Sequence, residues 1–113
     1  MLKESYLANM KNLPEEAVKI RVSRPSVLGP SKGLLLDYKQ GKVIWQEFER
    51  RFRKEILNKP SAIARLGYIS SLADKKDVYL ICYEKEYPCH RFILIDIIQE
   101  LNDITKKSKS QII

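Results

Sequence analysis

Two thiols, a carboxylate, an imidazole and a guanidinium fall within ten residues of this chain, as Cys82, Glu84, Cys89, His90 and Arg91. His90 is the only histidine and the two cysteines are the only ones present. A thiol at a helix N-terminus beside a histidine and an arginine is in the setting that lowers a thiol pKa and makes a nucleophile. Cys89 therefore reads as a nucleophile, His90 as its base, and Glu84 as a carboxylate that orients His90 or Arg91 through a charge-assisted hydrogen bond. Cys82 also reads as a small buried hydrophobe at the end of an apolar run. The spacing is neither C-x-x-C nor Cys-x5-Arg, so neither a dithiol redox motif nor the cysteine-phosphatase loop is present. The donor types suit zinc, but adjacent Cys89 and His90 on a helix are expected to point in different directions, so no metal is expected.

Anion binding is the companion reading. The amides of a first helical turn have no partner in the helix, and Arg24, Lys32, Lys85 and Arg91 can add charged donors to a phosphate. Ser31 can contribute a hydroxyl, although the same residue reads equally as an N-cap. Neither G-x-G-x-x-G nor G-x-x-x-x-G-K-[ST] occurs, so neither a standard dinucleotide site nor a P-loop is expected, and no cofactor is specified.

The elements that must hold these groups follow from pattern. Val78 to Cys82 is a β-branched and aromatic run bounded by charges, as in a strand buried on both faces. Pro88 has its φ preset for a first helical turn, and Phe92, Ile93, Leu94, Ile97, Ile98 and Leu101 supply a broad apolar face at helical spacing. Upstream, Leu2 to Leu7 can form a first strand, and Ala17 to Ser23 a second that stops at Arg24-Pro25. A helix is expected from Pro30-Ser31-Lys32 to near Gly41, another from Trp45 to Leu57 with Trp45, Phe48, Phe52 and Ile56 on one face, and a third after Pro60 with Ile63, Leu66, Ile69 and Leu72. This order predicts a single α/β domain over residues 1–104. Its small, mainly parallel sheet is flanked by helices in a Rossmann-like three-layer arrangement, with Ile20, Val22, Val78, Leu80 and Ile81 at its centre. Ligands of open α/β sheets bind beyond the carboxyl ends of the strands, and that edge gathers Ser5, Tyr6, Arg24, Cys82 and Glu84, joined by Ser31, Lys32 and Arg91. Residues 105–113 have almost no apolar content and are expected to be a basic, disordered tail.

Cys82-Tyr83-Glu84-Lys85 followed by Cys89-His90-Arg91 resembles the C-x-E-K...C-H-R signature of the domain of unknown function 488 family. Ser5-Tyr6, Asn9 to Pro14, Ile20 to Arg24, Gly29 to Leu35 and Trp45 to Phe48 agree with it in order, and the resemblance extends to Asp103. It implies a short single-domain member and names no reaction.

Composition bounds the partners. Mean hydropathy is −0.33 and no apolar run approaches the ~20 residues of a membrane span, so no membrane association is expected. The start of the chain has no apolar segment of the secretory type, and two cysteines without export suggest reduced thiols, hence a cytoplasmic location. The net charge is +7, of which Lys106, Lys107 and Lys109 supply three. A non-catalytic nucleic-acid-binding module using Arg50, Arg51, Arg53, Lys54 and those lysines is the alternative function. Against it, Glu47, Glu49 and Glu55 stand ready to neutralise the same helix, and no aromatic-interleaved basic motif is present. A small anionic, phosphate-bearing ligand is the partner the cluster favours.

Overall fold

The computed structural model describes residues 1–85 and 88–112, with side chains through Ile104. Among the described residues, three strands, β1 (Leu2–Tyr6), β2 (Val18–Arg21) and β3 (Val78–Cys82), and four helices, α1 (Lys32–Lys39), α2 (Trp45–Leu57), α3 (Pro60–Ala73) and α4 (His90–Ile112), are joined by loops and by a 3-10 helix over Leu7–Asn12. The sheet order is β1-β3-β2 and both pairings are parallel. The most apolar strand takes the centre, where both its edges are paired, while the strands carrying Lys3 and Glu4 or Lys19 and Arg21 take the outside. Parallel pairing requires long crossovers, and α1, α2 and α3 provide the one from β2 to β3. The small parallel α/β domain expected from the sequence is therefore what forms.

Register aligns the three carboxyl ends. Tyr6 lies opposite Cys82, Arg21 lies opposite Ile81, and the Val22 amide donates to the Ile81 carbonyl at 2.9 Å. At the other edge the amino group of Met1 donates to the carbonyls of Ala73 and Lys76, tying the start of β1 to the turn before β3.

One sheet face carries the core. Ile20, Val22, Val78, Leu80 and Cys82 alternate onto it, and Leu34, Phe48, Phe52, Ile56, Leu66, Ile69, Leu94 and Ile98 pack over them from the helices. Ile81 is buried on the opposite face, outside that cluster. Each side chain of this size stabilises by about 1.5–3 kcal/mol when fully buried. Helix boundaries have local causes. Ser31 caps α1 by accepting from the Leu34 amide at 3.2 Å, α3 has proline in its first turn, and Gly41 takes a φ of 72° just after α1.

Some bounds shift from expectation: β1 ends at Tyr6 rather than Leu7, and β2 is Val18–Arg21 rather than Ala17 to Ser23. Helix α4 begins at His90, so Pro88 and Cys89 precede it. The helix bounds run on to Ile112. The 3-10 helix over Leu7–Asn12 is too short, with only Leu7 and Met10 apolar at its spacing, to be expected from pattern.

Candidate active site

Cys82 is the last residue of β3 and Cys89 the last before α4, and both are buried and free. Cys89 stands where a capping residue stands: its sulfur accepts from the Arg91 amide, and its carbonyl accepts from the Phe92 amide at 3.1 Å. Because Cys89 has left the helical conformation, its side chain is not bound to helical spacing relative to His90. Both instead turn inward. His90 Nδ1 lies 3.6 Å from Cys82 Sγ and 3.8 Å from Cys89 Sγ. The expectation that these neighbours would diverge is corrected on this point.

His90 is fixed on its other side. Its Nε2 lies 2.8 Å from the Val22 carbonyl, which can only accept, so Nε2 carries a proton and Nδ1 faces the sulfurs. The ring of Phe52 meets the imidazole edge-on with centroids 5.5 Å apart. As an imidazolium the ring can donate to a thiolate. As a neutral imidazole it presents a lone pair between two sulfurs.

The thiols divide their protonation. Hydrogen bonding from the Cys82 thiol lowers the pKa of Cys89 against the opposing effect of burial, and the His90 ring and Arg91 amide lower it further. Cys82 is pushed up, first by that same hydrogen bond, then by burial, the Cys89 charge and Glu84. The pair thus keeps one proton on Cys82 and a thiolate at Cys89. Cys82 Sγ is 3.9 Å from the Glu84 carboxylate.

A cavity of about 340 Å³ opens beside this centre, walled by Ser23, Arg24, Leu35, Lys39, Cys82, Tyr83, Glu84 and His90. A smaller recess of about 80 Å³ shares Leu35, Lys39, Glu84 and His90 with it and reaches Cys89, Tyr38, Trp45 and Phe48. Arg24 is held by the loop that follows β2, in which the Ser26 and Gly29 amides donate to the Ser23 and Ser26 carbonyls at 3.0 and 2.9 Å. A Cβ on Gly29 would lie 3.1 Å from the Arg24 nitrogen, tighter than an ordinary van der Waals contact, so glycine eases the close approach of these backbones.

Of the residues expected to share a cleft, Arg24, Cys82, Glu84, Cys89 and His90 come together. The others are occupied elsewhere or lie apart. Arg91 is 1% exposed; its Nε donates to Glu4 at 2.6 Å, and its two remaining nitrogens donate to the carbonyls of Glu84 and Lys85. Its fork is committed to tying β1 to the loop after β3, which corrects the role of anion clamp. Ser5 is buried and accepts from Asn9 at 3.0 Å, and Tyr6 lies under the Lys85 ammonium with 5.9 Å to the ring centre. Ser31 bonds Glu55 as well as capping α1, and Lys32 is exposed on the first turn of that helix. Sequence reasoning missed Lys39, Ser23 and the Val22 carbonyl. Lys39 was within reach, because it follows Leu35 by one helical turn and Lys32 by two.

A larger depression of about 550 Å³ covers the charged face of α2, at Glu47, Arg50, Arg51, Lys54, Glu55 and Asn58. It lacks thiol and imidazole, and its arginines are paired: Arg50 with Glu47 at 2.5 Å and Arg51 with Asp37 at 3.1 Å. Arg53 pairs with Glu49 and Glu100. The basic helix of the nucleic-acid reading is therefore locally compensated, and the side chains of Lys106, Lys107 and Lys109 lie outside the described residues.

Residues 21–102 match the DUF488-N3a family, described as the active DUF488-N3 subclade. The chain belongs to the DUF488 family. The DUF488 match spans every residue of the thiol–imidazole cluster and both cations of the cleft, Arg24 and Lys39, and leaves β1 outside it. No curated protein and no solved structure matches the chain. No helix among the described residues is long and apolar enough to cross a membrane.

Proposed function

We propose that the protein is a thiol-dependent enzyme acting on a small anionic, phosphate-bearing ligand in the reducing environment of the cytoplasm. The observation that carries this reading is the convergence of Arg24 and Lys39 with Cys82, Glu84 and His90 around one cavity that runs on to Cys89. Two cations lining one cavity favour a phosphate. The adjoining recess holds a thiolate that a neighbouring thiol, an imidazole and a helix amide all stabilise.

With the phosphate seated against Arg24 and Lys39, an electrophilic carbon of the ligand meets Cys89 Sγ. The thiolate forms a bond to that carbon, and the leaving group departs with its electron pair and takes the proton from His90 Nδ1. Water then attacks the same carbon and gives its proton back to Nδ1, and the carbon–sulfur electron pair returns to Cys89 as thiolate. Glu84 stands beside Cys82, where its charge adds to the Cys89 hydrogen bond and the burial that keep that thiol protonated. Free buried cysteines are consistent with a reducing compartment. The word "active" in the subclade description agrees with an enzyme and names no reaction.

Thermal-shift titration with orthophosphate, pyrophosphate and ADP tests the reading. At least one should raise the melting temperature, and Arg24→Ala and Lys39→Ala should each weaken its binding about tenfold, as expected for one charge-assisted hydrogen bond. Equal binding by wild type and both variants, or no shift with any of the three, would remove the proposal.

A further inference from the structure

Cys82 Sγ, Cys89 Sγ and His90 Nδ1 all lie within 4.8 Å of one another. In a tetrahedral zinc site with Zn–S of about 2.3 Å and Zn–N of about 2.05 Å, the sulfur–nitrogen edges are about 3.6 Å and the sulfur–sulfur edge about 3.8 Å. The observed sulfur–nitrogen edges are 3.6 and 3.8 Å. We propose that these three side chains form a preorganised site for a borderline-soft divalent cation, zinc above all, with the fourth coordination position open to the cleft.

Three features beyond spacing support it. The ligand set Cys2His is one that zinc takes both in structural sites, with a fourth ligand, and in sites with an open position. His90 has the outer partner that metal-bound histidines characteristically have: Nε2–H donates to the Val22 carbonyl at 2.8 Å, which fixes the tautomer with the Nδ1 lone pair facing the sulfurs. The charge also balances. Two thiolates and one divalent cation make a neutral unit, and both sulfurs and the ring are buried, where a net charge would be costly. Glu84, 3.9 Å from Cys82 Sγ, lines the same cleft. The protons displaced from the thiols pass to solvent.

This inference goes beyond the thiol mechanism and stands independently of it, because a bound cation occupies the electron pair that Cys89 would use for attack. The metal-free protein is the nucleophile, and the metal-loaded protein is either its inhibited form or a Lewis-acid site. The two ideas fail separately: loss of cation binding leaves alkylation of Cys89 untouched, and an unreactive Cys89 leaves cation binding untouched.

Titrating the chelator-treated, reduced full chain with Co2+ is the test. The expected result is one equivalent bound, with thiolate-to-metal charge-transfer absorption in the near ultraviolet and visible bands of tetrahedral intensity, both displaced by Zn2+. Cys82→Ser, Cys89→Ser and His90→Gln should each weaken binding by more than about 10- to 100-fold, the range already seen when only an outer partner is lost. Wild-type spectra need no substitution, so a variant that misfolds does not shield the idea. An octahedral pink solution without charge transfer, or unchanged affinity in all three variants, overturns it.

Discussion

Replacing Arg91 by methionine should cost about 3 kcal/mol of stability and should not be rescued by added phosphate. The side chain is 1% exposed and donates to the Glu4 carboxylate and to two carbonyls, those of Glu84 and Lys85. Removing one partner of a buried ion pair costs about 3–5 kcal/mol. Glu4 retains 34% exposure, so water recovers part of the lost solvation and the lower end of that range applies. Methionine preserves the apolar stem, which separates this loss from a cavity effect. Urea unfolding measures it. With an m-value of about 1.5 kcal/mol/M for a domain of this size, the midpoint should fall by about 2 M. Combining Arg91→Met with Glu4→Gln should cost less than the two single losses together, because the carboxylate left behind is a large part of the penalty. A loss below about 1 kcal/mol, or strict additivity in the double variant, would show that Arg91 does not fasten β1 to the loop after β3.

Two further substitutions follow from packing. Gly29→Ala places a Cβ 3.1 Å from the Arg24 nitrogen and 3.3 Å from the Ser26 carbonyl, neither of which can swing aside; a loss of about 1 kcal/mol in urea unfolding is expected, with weaker phosphate binding as Arg24 shifts, whereas a gain in stability would contradict the close approach. Phe52→Ala removes a fully buried ring that meets His90 edge-on, and should cost about 3–5 kcal/mol by the same measurement, a loss under about 1 kcal/mol marking the ring as dispensable.

Much of the fold was legible because pattern and packing agree. Trp45 to Leu57 carries apolar residues every third or fourth position, and α2 has those bounds. Val78 to Cys82 reads as a central strand because no polar side chain interrupts it, and β3 takes the centre of the sheet. The site was legible as a place and less so as a set of roles. The carboxyl-edge rule located Arg24, Cys82 and Glu84 together, since it depends only on strand direction. Partner choice was hidden, because it depends on which carboxylate the fold delivers: Glu4, distant in sequence, claims Arg91, and Glu55 claims Ser31. The convergence of Cys89 with His90 was hidden for a different reason. It depends on α4 starting two residues after Pro88, and boundaries of that precision are set by capping geometry rather than by periodicity.

Thiol chemistry at this centre requires Cys89 to be a thiolate beside an anion-binding cleft, and the pH dependence of its alkylation measures that state. Metal-free protein treated with iodoacetamide from about pH 5 to 9, with the modified cysteine assigned by mass spectrometry, should react at Cys89 before Cys82. Its folded pKa is lowered, so the thiolate persists on the acidic side of the ordinary value. The rate should therefore stay nearly flat as pH falls through ~8.5, where an unperturbed thiol would begin to lose about tenfold per unit. A phosphate ligand that raises the melting temperature should slow the reaction. A rate that falls tenfold per unit below a midpoint near ~8.5, faster labelling of Cys82, or no labelling of Cys89 at any pH would contradict the account.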